Sequence, residues 1–166
     1  MLHKADFGDS YMVLMREALD RRDMPAVFEN LHAAAERNVA LAHYELGIYA
    51  QESRAHEKAF AHLSRAHELS PQDPATRLEL ARMYASGQGV PQDTRRGFEM
   101  MKAVADEQLD PKATAIAQVN VGFFYLGGSG VEPSPEKARG YLEKAAASGV
   151  EGIAEIAAKQ LGELPD

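Results

Sequence analysis

Residues 84–93, YASGQGVPQD, are the stretch in which ligand chemistry would first be sought. Two glycines around one residue, followed by an apolar residue and an acid, suit a loop that cradles a phosphate. Such a loop needs Gly-rich backbone between a strand and a helix, and a Lys–Ser/Thr pair that reaches the phosphates. No strand pattern precedes this stretch and no Lys–Ser/Thr pair follows it. The competing reading is a turn between two helices. Gly87 then ends the first helix in the left-handed region and Gly89 turns the chain back. Val90 tucks under the helix pair and Asp93 starts the next helix. The residues favour the turn.

Metal and acid–base chemistry find no better footing. The six histidines are His3, His32, His43, His56, His62 and His67. A metal site favours two histidines four apart on one helix face. The spacings 56–62 and 62–67 put rings on different sides of a helix, so these histidines read as surface or helix-packing residues. Asp106, Glu107 and Asp110 lie near a helix end and a turn, which reads as solvated surface and capping rather than a buried acid–base pair. No strained nucleophile turn is present, and there is no cysteine to act as nucleophile, thiolate ligand or disulfide partner. The expectation is no catalytic residue, no metal, no cofactor and no enzymatic activity.

The elements that would position any site are legible in the spacing. The chain has 166 residues, 45% hydrophobic and 26% charged, the balance of a single soluble globular domain. Ala138, Leu142 and Ala145 follow a 4-then-3 spacing. The same spacing recurs at Gly97, Met101 and Val104, at Ala59, Leu63 and Ala66, and at Val27, Leu31 and Ala34, giving one helical stripe each. Upstream lie the pairs Leu14–Met15, Leu46–Gly47, Leu80–Ala81 and Val121–Gly122, followed three residues on by Ala18, Ala50, Tyr84 and Tyr125. From these last positions to the stripe the gap is 9 residues in the first two repeats and 13 in the last two. The unit is helix A, turn, helix B, with a longer turn in the later copies. Asp23, Asp93 and Ser134 stand where helix B needs an N-cap, and Asp73–Pro74 and Asp110–Pro111 supply a cap and a first-turn proline for helix A. Residues 150–162, VEGIAEIAAKQLG, predict a ninth helix with Ile153, Ile156, Ala157 and Leu161 on one face, covering the end of the array. Repeats are expected at about 10–37, 40–70, 74–109 and 112–149, with the capping helix at 150–163, all in one domain spanning 1–166.

These residues resemble the tetratricopeptide repeat superfamily. Repeat two, ELGIYAQESRAHEKAFAHLSRAHELSP, resembles the 34-residue form. LARMYASGQGVPQDTRRG and VGFFYLGGSGVEPSPEKA resemble the Sel-one-like repeat, L-G-x-x-Y-x-x-G-x-G-V-x-x-D-x-x-K-A. Departures are Ala81 for the first Gly, Gly97 for the small Ala, and Ser134 for the Asp. The resemblance implies an all-α fold, a right-handed α-α superhelix whose helices A line a concave groove. It also implies an adaptor that binds a protein or peptide. Some secreted relatives carry disulfides; the lack of cysteine fits an intracellular, cytoplasmic chain.

By the family pattern, residues two before and two after the helix A marker face the groove, and their spacing of four places each such pair on one face. These are Met12 and Arg16, Tyr44 and Ile48, Leu78 and Arg82, and Val119 and Phe123, with Asn120 beside them. The apolar members would supply contact, the arginines would grip carboxylates, and Asn120 would bond a peptide backbone. The competing reading is that curvature buries some of these residues against one another. Tyr84, Tyr125, Phe60, Phe98 and Tyr141 are expected in the core. The net charge of −7, without basic clusters, argues against nucleic acid and anionic membrane as partners. No leader pattern opens the chain, and no window approaches the roughly 18 consecutive apolar residues of a membrane span. Three functional classes stay open: an adaptor with a peptide groove, a regulatory or chaperone-like subunit that forms a homodimer through the open end (Met12, Val13), and a hydrolase, which would need a convergent polar pocket.

Overall fold

Helix pairs recur where the stripes place them. The computed structural model describes residues 4–164, with side chains from Ser10 onward, and every regular element in that range is a helix. In chain order these are α1 (Lys4–Asp20), α2 (Met24–Ala35), α3 (Ala40–Glu52), α4 (His56–Leu69), α5 (Pro74–Ser86), α6 (Thr94–Glu107), α7 (Pro111–Gly127), α8 (Pro135–Ala146) and α9 (Ile153–Glu163). Of the histidines, His3 lies outside the described residues. The chain forms two compact units, Met1–Thr76 and Arg77–Asp166, with the boundary inside α5. In the first unit α1 packs on α2, α2 on α3, and α3 on α4. In the second, α6 packs on α7, α7 on α8, and α9 on both α7 and α8.

The stripes are the core. Val27, Leu31 and Ala34, then Ala59, Leu63 and Ala66, Met101 and Val104, and Ala138, Leu142 and Ala145 are all closed to solvent. Burying one Leu or Met side chain contributes about 1.5–3 kcal/mol, so the recurring stripe is what makes each helix pair stable. Cap chemistry sets where the helices begin. Asp23, Asp93, Asp110 and Ser134 each accept a backbone N–H from three residues on, and Asp73 does the same for Thr76. α4 alone among the helices B starts without a side-chain cap, at Ala55.

The glycine turns also match the expectation. Gly87 and Gly89 both sit at φ 72°, and Gly128 and Gly130 repeat this at 62° and 72°. Gly87 and Gln88 donate to the Met83 carbonyl, closing α5. At Gly130 a Cβ would lie 2.6 Å from the backbone of Thr94 and Arg95, so this turn presses on the start of α6. YASGQGVPQD is a turn, made twice.

Three expectations need correction. Leu14 is 43% exposed, because no helix packs outside it on that side of α1 among the described residues, and only Met15 of that pair is buried. Ile156 is 50% exposed: the inward face of α9 holds Ile153, Ala157 and Leu161, with Leu164 just beyond the helix end, and Ile156 turns outward. Among the aromatics, Tyr125 and Phe98 are buried, whereas Tyr84, Phe60 and Tyr141 are only half-buried.

Candidate partner-binding groove

The eight residues expected to line a groove divide by position. The residue two before the marker is closed in three of the four repeats. Met12 joins the core with Ala42 and Leu46 of α3, and Leu78 joins Ala113, Ala117 and Val121 of α7. Val119 is covered by Ala157 of α9. The physical reason is the same each time: this position points at the next helix along the array, so Met12 and Leu78 belong to the core and offer no surface. Tyr44, the fourth, is half-buried at the edge of a cavity of about 240 Å3 that it lines with Ala40, Leu41, Ser70, Asp73, Ala75 and Thr76. The residue two after the marker stays accessible in every repeat. Arg16, Arg82 and Phe123 are exposed, and Ile48 is half-buried.

In the second unit Arg82, one of these accessible residues, lines a depression of about 380 Å3. Arg82, Ala85 and Ser86 of α5, Gln88 of the turn, and Asn120 and Phe124 of α7 line it, and Met101 of α6 contributes a further wall. The structure thus brings Arg82 and Asn120 together. Ser86, Gln88 and Phe124 were not foreseen, because they enter from a helix end, a turn and the next face of α7.

Arg82 is not an idle charge: its Nη2 donates to the Glu79 carboxylate one turn back on α5. The Glu79 side chain is nearly closed to solvent, so Arg82 gives a partner to a carboxylate that would otherwise be desolvated without one. Asn120 Nδ2 donates to the Ile116 carbonyl at 2.8 Å. That bond orients the amide, since only its nitrogen can donate. Deeper in the same unit Arg77 forks onto both Glu107 oxygens, tying α5 to the end of α6. Those hydrogen bonds hold the Glu107 carboxyl below its usual range. Burial pushes the Asp106 carboxyl up, but hydrogen bonds from Lys102 and Tyr141 outweigh it, and its pKa lies below the usual value. These acids are therefore structural partners as well as surface groups.

The histidines are the largest omission from the sequence reading. His43 of α3 and His62 of α4 bring their Nδ1 atoms to 3.1 Å. Spacing within one helix cannot reveal a contact between two. Among the described residues no group of three or more His, Cys, Asp or Glu is placed to hold a metal ion, and no helix is long and apolar enough to cross a membrane.

No curated protein matches this chain. Among solved structures it resembles a Sel1 repeat protein from Oxalobacter formigenes, at 21% identity and a TM-score of 0.74, over 97% of this chain and 63% of that one. It also resembles a protective antigen of uropathogenic Escherichia coli strains that displays an SLR fold, at 22% identity and a TM-score of 0.70, over 85% of this chain and 30% of that one. This chain spans less than two thirds of either neighbour, and the likeness shows a shared all-α helical-repeat fold. The Sel1 repeat family model matches residues 33–70, 75–108 and 115–150, and with the stripes, caps and paired glycine turns behind that match, the chain belongs to the Sel1 repeat family.

Proposed function

We propose that the chain is a protein-interaction adaptor that takes a segment of a partner protein across its helices A. The observation that carries this reading is the depression of the second unit, where Arg82, Asn120 and Phe124 converge beside the exposed Phe123. Apolar and aromatic walls with a few oriented polar groups are what a peptide segment needs. The Arg82 guanidinium carries five N–H donors, so it serves a partner carboxylate while keeping Glu79. The Asn120 side-chain oxygen is the atom offered to a peptide N–H. On the first unit Tyr44 and Ile48 are the corresponding candidates for contact. The reading entails no nucleic acid, membrane or cofactor, and places the protein in the cytoplasm.

The test is co-purification of the full chain's partner from its own cell, followed by affinity measurement with Arg82→Lys combined with Phe123→Ser. Lysine keeps the charge beside Glu79 but lacks the planar fork. Affinity should fall at least about tenfold, or 1.4 kcal/mol, with helicity and melting temperature unchanged. Full affinity in the double variant would remove the groove assignment.

A second reading rests on a separate observation: Val13 is 52% exposed and Leu14 43%, on the same outer side of α1. This apolar patch suits a regulatory or chaperone-like subunit that self-associates at that end. Met12 plays no part, being core. Light scattering separates the readings, since a stable dimer dissociated by Val13→Asp favours the second.

A further inference from the structure

His43 and His62 face each other across the α3–α4 pair, with ring centroids 5.4 Å apart and planes tilted by 40°. A neutral imidazole has one N–H and one bare nitrogen, so an Nδ1–Nδ1 contact at 3.1 Å requires one Nδ1 protonated and the other not. A metal site needs at least a third protein donor, and among the described residues no group of three or more His, Cys, Asp or Glu is placed to supply one. The contact holds one proton. One cationic ring facing a neutral one still keeps this contact; only when both rings are cationic do two N–H groups and two positive charges face each other.

We propose that the His43–His62 contact is a pH-sensitive latch on the α3–α4 pair, closed while one proton lies between the rings and released when mild acid charges both. The surroundings reinforce the effect. From α2, His32 acts on His62, and the Ala35 carbonyl accepts from the His43 ring. From α4, Arg65 acts on His43, its guanidinium held by Glu68 and by Asn38. His32 and His62 share a cavity of about 460 Å3 with Lys58 of α4 and with Glu52 of α3, the one carboxylate of that lining. Of the groups acting directly on the two rings, the Ala35 carbonyl favours a charged His43, whereas His32 and Arg65 are cationic or become so and oppose charging.

Desolvation by burial first, and the neighbouring ring and guanidinium second, hold His43 below the ordinary histidine value of 6.5; burial and His32 do the same for His62. A folded pKa below the unfolded one means that the unfolded chain binds more protons between the two. The latch therefore contributes fully above pH about 6.5 and is lost as pH falls from there through the folded values. Release loosens α3 against α4 and opens the cavity bounded by α2.

The test uses the full chain. Ring-proton NMR titration of the wild type should show His43 and His62 releasing protons in two separated, coupled steps below the ordinary value. In His62→Gln, which retains a side chain able to donate to His43, His43 should titrate in one step at higher pH. Amide exchange in α3 and α4, corrected for its chemical pH dependence, should quicken several-fold between pH about 7.5 and 5 in the wild type and not in the variant. Independent single steps at the ordinary value in the wild type would overturn the latch, whether or not the variant folds. So would unchanged exchange across that range.

Discussion

One methyl group separates two roles for glycine in this chain. In repeats two and four a helix A glycine receives a leucine of helix B: a Cβ on Gly47 would lie 2.7 Å from Leu63 Cγ, and one on Gly122 would lie 2.8 Å from Leu142 Cγ. Repeat three departs from that pattern. Ala81 stands on helix A, the opposing residue is the flexible Met101, and the small residue moves to Gly97 on helix B. A Cβ there would meet the Ala81 carbonyl oxygen at 2.7 Å and the Ala85 Cβ at 2.8 Å. A carbonyl oxygen inside a helix cannot give way cheaply. Two of the three departures from the family pattern, Ala81 and Gly97, are therefore one compensated exchange. Gly97→Ala should destabilise the protein by about 1–3 kcal/mol, as overpacking does. Gly140, within α8, has nothing within 4 Å of a Cβ. Gly140→Ala should stabilise by about 0.5–1 kcal/mol through helix propensity alone. Chemical denaturation of the two variants reads both signs, and a shared sign would refute the packing argument at Gly97.

At the scale of helices, Ala55 is the conspicuous position. It starts α4 with φ −83° and ψ 63°, close to the −88° and 80° of Asp23, yet has no oxygen to offer. Ala55→Asp should gain about 0.5–1 kcal/mol of stability, the ordinary worth of an N-cap, measurable as a raised denaturation midpoint. No gain would mean that the neighbouring turn denies the cap its geometry. Caps were legible from sequence because a cap is a local bond, three residues long, between a side chain and its own helix. Stripes were legible for the same reason: a spacing of four and three defines one face without knowledge of what covers it. Position within the array was not legible. Leu78 and Phe123 belong to the same row by spacing, but Leu78 points at α7 and is sealed, while Phe123 points outward. Ile156 and Ala157 are adjacent on α9 and only the second faces α7 and α8. His43 and His62 lie 19 residues apart on two helices, and their contact depends on how those helices are turned against each other. The expected row was therefore half legible: Arg82 and Asn120 do line one depression, whereas Met12 and Leu78 could not be recognised as core.

For the molecule as a whole, these titrating groups predict an acid response in two stages, each belonging to one compact unit. The histidine contact lies in the first unit, and its two rings titrate below their ordinary value of 6.5. The Arg77–Glu107 fork and the Lys102–Asp106–Tyr141 set lie in the second, with both carboxyls below ordinary values of 4.5 and 3.8. The signs agree and the windows differ. A depressed histidine costs stability as pH falls from 6.5, whereas a depressed carboxylate retains its contribution until pH passes below its unfolded value and then loses it towards the folded one. Amide resonances of α3 and α4 should therefore respond first, in mild acid. Those of α5 and the end of α6 should hold until pH drops below about 4.5. Arg77→Gln removes the forked hydrogen bonds, and with them the charge, that hold Glu107 low, so it should weaken the second unit at neutral pH and flatten its later stage while leaving the earlier stage untouched. An acid titration in which both units change together, only below pH about 4.5, would show that the histidine contact carries no weight of its own. A wild-type early stage confined to α3 and α4 would instead locate the first loss of stability at the His43–His62 contact.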